Sequence, residues 1–230
     1  MTKVYPNYAA AATTTTTSAK KEREASTTID HDTVAVLTVW KKSLLLNCKG
    51  FTVFDAHGNL VYRVDNYMAQ HKDHILLMDA QGTPLLTIRH RKRLSLGDNW
   101  LVYEGEEVTS SKPICTVRKQ LNKCTLAQVL MTSISPENEN EKNKKKEKEV
   151  AYMIQGSYSK RSCTVYDNKS RRVVAEIKRK EGITVGGGGG GGSSVVASFG
   201  ADVFRLIVQT EEMDPTLAMA FLIILDHMLS

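Results

Sequence analysis

The stretch from residue 214 to residue 229, Asp-Pro-Thr-Leu-Ala-Met-Ala-Phe-Leu-Ile-Ile-Leu-Asp-His-Met-Leu, decides the fold of this chain. Asp214 followed by Pro215 is typical of a helix start, because aspartate can cap the first backbone N–H groups and proline suits the first helical position. Between Leu217 and Leu225 the helix would have no polar face. A helix that is apolar all round has to be enclosed.

A bilayer does not suit this helix, because the apolar run is too short. About 14 residues rise about 21 Å, whereas a membrane span needs about 20 residues. Asp226 and His227 also interrupt the run. We therefore predict no transmembrane segment and a helix that is enclosed by its own chain. The side chains expected at the centre of the molecule are Leu217, Phe221, Ile224, Leu225 and Asp226.

The composition is that of an ordinary globular protein, with 41% hydrophobic and 24% charged residues in a chain of 230. The formal net charge of +6 favours acidic partners such as lipid head groups or nucleic acid. Four cysteines, Cys48, Cys115, Cys124 and Cys163, form no CxxC pair, and no apolar leader follows Met1. We therefore expect a reducing compartment and cysteines that act as small buried hydrophobes.

Three segments are too biased in composition to join a hydrophobic core: residues 7–28, rich in Ala and Thr, residues 135–149, rich in Lys and Glu, and the glycine run at 186–194. Each offers too little apolar surface to offset the entropy lost on ordering. We predict a disordered tail over residues 1–32 and one domain over residues 33–230, with flexible insertions at 135–149 and 186–194.

The rest of the chain is typical of β-strands. In three hairpins an apolar strand ends in aspartate, and a turn follows with Gly or Ser three residues later; the pairs are Asp55 and Gly58, Asp79 and Gly82, and Asp167 and Ser170. The aspartate can cap the turn, and glycine supplies the positive φ. The predicted strands lie near 34–40, 51–55, 60–66, 74–79, 84–89, 99–104, 113–119, 125–131, 150–156, 162–167, 172–178 and 202–209.

The number of strands fits the need to enclose a helix. An eight-stranded barrel is filled by its own side chains, so a helix about 10 Å across needs a wider one. The sequence therefore predicts a mainly β fold, a closed barrel of about twelve strands around an apolar C-terminal α-helix.

Short blocks along the chain resemble the plant LURP-one-related family. They are residues 36–43 (VLTVWKKS), 50–55 (GFTVFD), 62–67 (YRVDNY), 77–80 (LMDA), 82–86 (GTPLL), 92–96 (KRLSL), 156–158 (GSY), 175–179 (AEIKR), 202–204 (DVF) and 224–226 (ILD). The resemblance implies a tubby-like fold, shared with the tubby proteins and the phospholipid scramblases. It also implies a protein without established enzymatic activity, acting in plant defence or as a membrane-tethered regulator.

Motifs for catalysis do not occur in the sequence, which has no GxSxG, HExxH or GxxxxGK. His71, Asp73 and His74 offer two imidazoles and a carboxylate but no further ligand nearby in sequence, and we interpret them as part of a solvated loop. We predict no catalytic residue, no metal site and no cofactor. Asp226 is expected to be buried, and an Arg, a hydroxyl or backbone N–H groups should reach it, because an unpaired buried carboxylate is costly.

Two basic clusters follow predicted strands and are the candidate anion- or lipid-binding residues. They are Arg89, Arg91, Lys92 and Arg93 in one cluster and Lys178, Arg179 and Lys180 in the other. If the barrel brings both to one rim, each basic side chain contributes about 1 kcal/mol near an anionic membrane. Further candidates are Lys41, Lys42, Lys160, Arg161, Arg171 and Arg172. The alternative is a solvated surface that serves solubility.

These observations favour a non-catalytic binding or signalling module whose basic surface meets phosphoinositide head groups or an acidic protein partner. Such a protein would be cytoplasmic, peripheral at the plasma membrane, or nuclear. The alternative is a nucleic-acid-associated transcriptional regulator, although the one clear helix is apolar on every side and cannot serve as a recognition helix. Lipid scrambling is the third possibility, but the sequence predicts no transmembrane segment to support it.

Overall fold

The computed structural model describes residues 33–46, 48–66, 74–91, 99–106, 112–120, 122, 124–132, 149–180, 183–185, 195–197 and 200–229. The predicted tail at 1–32, the glycine insertion at 186–194 and all of the 135–149 insertion except Glu149 therefore lie outside the described residues. The strands are β1 (Val34–Trp40), β2 (Lys49–Phe54), β3 (Leu60–Asn66), β4 (His74–Asp79), β5 (Pro84–Arg91), β6 (Asn99–Glu104), β7 (Cys115–Lys119), β8 (Thr125–Met131), β9 (Val150–Ser157), β10 (Ser162–Asp167), β11 (Val173–Arg179), β12 (Ile183–Val185), β13 (Val195–Ala197) and β14 (Val203–Gln209), and the helix is α1 (Pro215–Leu229).

Twelve of the strands form one closed barrel, in the order β1-β14-β11-β10-β9-β8-β7-β6-β5-β4-β3-β2. Every neighbouring pair is antiparallel, and the first and last strands of the ring pair from Val34 with Gln209 to Trp40 with Val203. The predicted twelve-stranded barrel is confirmed, with strand ends within two residues of those expected. The small hairpin of β12 and β13 stands apart from the barrel and was not predicted, because three-residue strands leave no periodic signal.

The helix α1 lies inside the barrel, as the sequence predicted. Asp214 caps it through a hydrogen bond of 2.8 Å from the backbone N–H of Thr216 to Oδ1. From Ala218 to Asp226 every residue is buried, and Phe221 packs its ring 6.1 Å from the ring of Tyr152. Of the expected central residues, Phe221, Ile224, Leu225 and Asp226 are buried.

Leu217 lies in the first turn of α1 and is partly buried, packed against the core. One expectation about buried side chains needs correction. Among the cysteines, Cys115 and Cys163 are buried, but Cys48 is half-buried and Cys124 is exposed, so the expectation was wrong for these two. Burial raises the pKa of Cys115 to about 12 and that of Cys163 to about 11, which keeps both thiols protonated. No helix in the described ranges has the length and apolar character that crossing a membrane requires.

The antiparallel order gives the barrel two distinct ends. The odd-numbered strands β1 to β11 finish at the end where the even-numbered barrel strands begin, and we call this the upper end. The helix starts at the opposite, lower end, directly after β14, and runs through the barrel to finish at the upper end. There the Asp226 side chain meets Lys41, the first residue after β1.

The three predicted hairpins turn at the lower end. The side chains of Asp55, Asp79 and Asp167 accept backbone N–H groups of their own turns, for example 2.7 Å from Thr83 to Asp79. These hydrogen bonds lower the pKa of the Asp79 and Asp167 carboxyl groups, and the side-chain amide of Asn59, followed by the backbone N–H groups, lowers that of Asp55. Gly58 and Gly82 have positive φ as expected, but in the third hairpin the positive φ falls on Arg171 rather than on Ser170.

Candidate anion-binding site

Charged side chains are sorted between the two ends of the barrel. The basic residues that the structure describes at or near the upper end are Lys41, Lys42, Lys49, Arg63, Arg89, Arg91, Arg118, Lys119, Lys160, Arg161, Lys178, Arg179, Lys180 and Arg205, against Asp65, Glu176, Asp202 and Asp226. The lower end holds Asp55, Asp79, Glu104, Glu106, Glu149, Asp167, Glu211, Glu212 and Asp214, against Lys112, Lys169, Arg171 and Arg172. The upper end is therefore basic and the lower end acidic.

The two predicted basic clusters both lie at the upper end, but on opposite sides of it. Arg89 and Arg91 are exposed at the end of β5, and Lys178, Arg179 and Lys180 are at the end of β11. Since β5 and β11 are six places apart in a ring of twelve strands, the clusters face each other across the barrel. Lys92 and Arg93 lie outside the described residues. The clusters share a rim without forming one continuous patch.

Three of the further candidates have other roles or positions. Arg171 and Arg172 lie at the lower end, where Arg172 pairs with Glu212 at 2.6 Å. Arg161 is buried, with its guanidinium 4.3 Å from the ring centres of both Tyr158 and Phe204. Arg161 therefore supports the barrel wall rather than an exposed binding surface. Lys160 is exposed at the upper end, as expected.

A cleft of ≈ 550 Å³ opens at the upper end beside the last turn of α1. It is lined by Lys41, Lys42, Cys48, Lys49, Gly50, Phe51, Asp202, Asp226 and His227. Lys41 and Lys42 were sequence candidates, but Lys49 was missed. Nothing in the local sequence could reveal the cleft, because it joins the β1–β2 connection to the far C-terminal helix.

The buried carboxylate of Asp226 forms the floor of this cleft. Its Oδ1 accepts a hydrogen bond of 2.9 Å from the Tyr158 hydroxyl and lies 2.8 Å from the Lys41 ammonium. Of the three partners that the sequence allowed (an Arg, a hydroxyl or backbone N–H groups), the structure shows the hydroxyl, and it adds a lysine that was not foreseen. Burial, followed by the nearby negative charge of Asp226, raises the pKa of Tyr158 well above its usual range.

A lysine also compensates the negative end of the helix dipole. The Lys119 ammonium donates to the backbone carbonyl oxygen of Met228 at 3.0 Å. Next to it, the His227 ring lies 5.6 Å from the Trp100 ring, which in turn stacks on His90 at 4.5 Å. Burial lowers the pKa of His227; the nearby Asp226 opposes this effect, while the proximity of Lys41 and His90 adds to it.

Lys42 and Lys49 are the exposed basic residues of the cleft. Among the described residues neither has a carboxylate within ion-pair distance, and the Lys42 ammonium lies 5.2 Å from the centre of the Trp40 ring. Lys41 thus pairs with Asp226 and Lys119 with the C-terminal end of α1, while Lys42 and Lys49 are exposed, as is Asp202, which also lines the cleft. This arrangement is suited to an anion, because charge-assisted hydrogen bonds to phosphate need donors that are not already neutralised.

The histidine-rich segment before β4 is only partly visible. His74 begins β4, whereas His71 and Asp73 lie outside the described residues. In the part of the chain that the structure describes, no group of three His, Cys, Asp or Glu side chains could hold a metal ion.

Comparison with known proteins identifies the family. The family model described as LURP-one-related matches residues 35–226. Protein LURP-one-related 8 of Arabidopsis thaliana is 46% identical over 229 residues, which cover 99% of this chain and 98% of the relative. Protein LURP-one-related 17 of the same plant is 36% identical over 194 residues, covering 84% of this chain and 83% of the relative.

A solved structure supports the fold independently. The crystal structure of another Arabidopsis thaliana protein superimposes with a TM-score of 0.57 at 22% identity, covering 86% of this chain and 93% of that one. Because the family model matches nearly all of the barrel and its helix, the chain belongs to the LURP-one-related family.

Proposed function

We propose that this LURP-one-related protein is a non-catalytic binding module whose upper end docks on anionic phosphate groups at a membrane surface, phosphoinositide head groups among them. The observation that carries the proposal is the separation of charge between the two ends of the barrel. Near an anionic leaflet each basic side chain contributes about 1 kcal/mol, within a Debye length of the surface. A barrel with its basic residues gathered at one end can present them to a flat surface together.

The cleft supports the same proposal at closer range. Its ≈ 550 Å³ lies within the range of about 300–1,000 Å³ that small-molecule sites occupy. Lys42 and Lys49 both line it, so a head group with several phosphates could engage the two ammonium groups at once. The Lys41–Asp226 ion pair at 2.8 Å fixes the floor beneath them.

Nucleic acid is the alternative source of the same phosphate chemistry. The one helix in the described ranges is buried from Ala218 to Asp226 and cannot enter a major groove. We therefore favour the membrane and treat duplex DNA as an arm of the test. On this proposal, the role in plant defence or stress signalling that the sequence resemblance implies would be carried out by reversible docking from the cytoplasm at the plasma membrane.

The test is co-sedimentation of the purified protein with phosphatidylcholine vesicles, with and without phosphatidylinositol bisphosphate, over a series of salt concentrations. Lys42→Glu/Lys49→Glu should weaken binding to the phosphoinositide vesicles by at least about tenfold, because each reversal removes an attraction and adds a repulsion. Binding of the wild type should also fall as salt rises.

The matched control is Lys169→Glu/Arg171→Glu, which changes the net charge equally but at the lower end. It should leave binding within about twofold of the wild type. An equal loss in both double variants would mean that binding follows net charge alone and would contradict docking through the upper end. Tighter binding to duplex DNA than to phosphoinositide vesicles at the same salt concentration would indicate that the partner is nucleic acid and not a membrane.

A further inference from the structure

Most of the exposed large hydrophobic side chains lie at the upper end. In the described ranges, the exposed large hydrophobic residues are Val36, Trp40, Leu44, Leu46, Val173 and Leu229. Trp40 ends β1, Leu44 and Leu46 belong to the β1–β2 loop (residues 41–48), and Leu229 ends α1. Scattered exposed leucines are ordinary, whereas apolar side chains grouped among charges mark an interaction surface.

The β1–β2 loop combines apolar and basic side chains in a few residues. Leu46 is 93% exposed and Leu44 is 49% exposed. Lys42 precedes them and Lys49 follows them, both exposed and both lining the cleft. The loop therefore presents two leucines between two lysines, next to the Trp40 ring.

The loop is held in place by hydrogen bonds at its base. The buried Ser43 hydroxyl donates to the Asp65 carboxylate and accepts the backbone N–H of Leu45 at 3.0 Å. Asp65 is itself held by the Arg63 guanidinium at 2.6 Å. These hydrogen bonds hold Ser43, at the base of the loop, against β3, directly beside Leu44.

We propose that the β1–β2 loop inserts Leu44 and Leu46 into an anionic bilayer, at the boundary between head groups and acyl chains. Lys42 and Lys49 then lie at the level of the lipid phosphates, and Trp40 lies in the head-group layer, where tryptophan is enriched. This inference rests on the proposed function and adds to it the part of the chain that enters the lipid.

Charge complementarity favours a bilayer over a second copy of the chain. In a symmetric dimer through this loop, two basic upper ends would face each other, and like charges across an interface are unfavourable. An anionic leaflet instead pairs with the surrounding lysines and accepts the leucines in the same contact.

The experiment compares Leu44→Ser/Leu46→Ser with the wild type on the phosphoinositide vesicles described above. Both leucines are exposed, so the melting temperature should not change, while binding should weaken roughly tenfold or more. The matched control is Val36→Ser/Val173→Ser, which removes two exposed apolar side chains from the barrel wall and the lower end and should leave binding unchanged.

A second measurement reports insertion directly and does not depend on affinity. Tryptophan emission of Leu46→Trp should shift to shorter wavelength on the vesicles and be quenched by lipids with brominated acyl chains. Val173→Trp should show neither change beyond the background of Trp40 and Trp100.

The outcomes separate this inference from the proposed function. If the wild type does not bind the vesicles, both fail. If the wild type and the leucine double variant bind equally and Leu46→Trp is not quenched, insertion is wrong while electrostatic docking stands. If the wild type is a dimer without lipid and the leucine double variant is a monomer, the loop is covered by a second copy and the inference is overturned.

Discussion

At the lower end of the barrel the carboxylates of the turns are used within the fold, whereas at the upper end several basic side chains face outward. The carboxylates of Asp55, Asp79 and Asp167 accept hydrogen bonds from their own turns, which lower their pKa values. At the upper end Lys41 and Lys119 neutralise the end of α1, and Lys42 and Lys49 remain exposed beside it. The difference teaches that charge alone does not locate a binding surface. The charges that matter for binding are those that are not engaged in hydrogen bonds or ion pairs within the fold.

The largest effect is expected from a substitution that removes the enclosed helix on which both ends depend. Phe221 is 1% exposed, so Phe221→Asp places a carboxylate among apolar side chains. The free-energy cost should exceed the stability of the domain, which is about 5–15 kcal/mol for an ordinary protein. Circular dichroism should show no cooperative melting. Val36→Asp on the outer wall is the control and should melt normally. A soluble, cooperatively melting Phe221→Asp would contradict the central position of α1.

Two glycines, one at each end, should differ in their tolerance of alanine. A Cβ on Gly50 at the upper end would lie 1.8 Å from the Val64 carbonyl oxygen, so β2 and β3 must separate. We expect Gly50→Ala to reduce the free energy of unfolding by about 2–3 kcal/mol. Gly58 at the lower end has open space but a φ of 85°, so Gly58→Ala should cost about 1 kcal/mol. Urea denaturation measures both, and the reverse order would refute the tight packing at Gly50.

The hydrogen bond beneath the cleft gives a smaller effect. Tyr158→Phe removes the hydroxyl that donates to Asp226 at 2.9 Å and should lower the free energy of unfolding by about 1–2 kcal/mol. Tyr166→Phe is the control, since among the described residues the Tyr166 hydroxyl has no hydrogen-bond partner, and it should change stability by less than about 0.5 kcal/mol. Equal effects in the two variants would show that the Tyr158 bond adds nothing to stability.

The smallest effect concerns pH. Because the pKa of His227 is lowered in the folded protein, the unfolded chain binds more protons as the pH falls through 6.5, and stability is lost in that range and regained as pH rises. The facing groups are Asp226, Lys41 and His90. His227→Gln should flatten the pH dependence of the unfolding midpoint between about pH 7 and 5. The turn aspartates affect the pH dependence of stability only at lower pH, since their pKa values lie below 3.8. An unchanged pH profile in His227→Gln would assign the dependence to another group.

Local patterns in the sequence were sufficient for most of the fold. The alternating strands, the Asp-capped turns and the start of α1 at Asp214 depend on interactions between residues close in sequence, and the structure has them where they were predicted. The enclosure of the helix followed from one argument, namely that a helix without a polar face cannot meet water. The need of Asp226 for a partner followed similarly from the cost of burying a charge.

The candidate site was only partly predictable, because it depends on the order of the strands around the ring. Alternating strand direction allows the clusters on β5 and β11 to share an end, but only the closed order shows that they lie on opposite sides of it. From the sequence Arg161 was interpreted as a surface charge, and only the structure shows that it packs between two aromatic rings. The sequence did not indicate that Leu44 and Leu46 are exposed either, since a run of leucines is more typical of a core than of an exposed loop.

The pairing of β1 with β14 has a consequence for how the protein is made. The ring closes through its first and last strands, and α1 follows β14 after a short connection. During synthesis the apolar side chains of the other barrel strands stay uncovered until β14 and α1 have been made. Closing the barrel then pairs β1 with β14, and this pairing is slow because the two strands are far apart in sequence and much chain entropy is lost. The nascent protein should therefore depend on chaperones until α1 has been made.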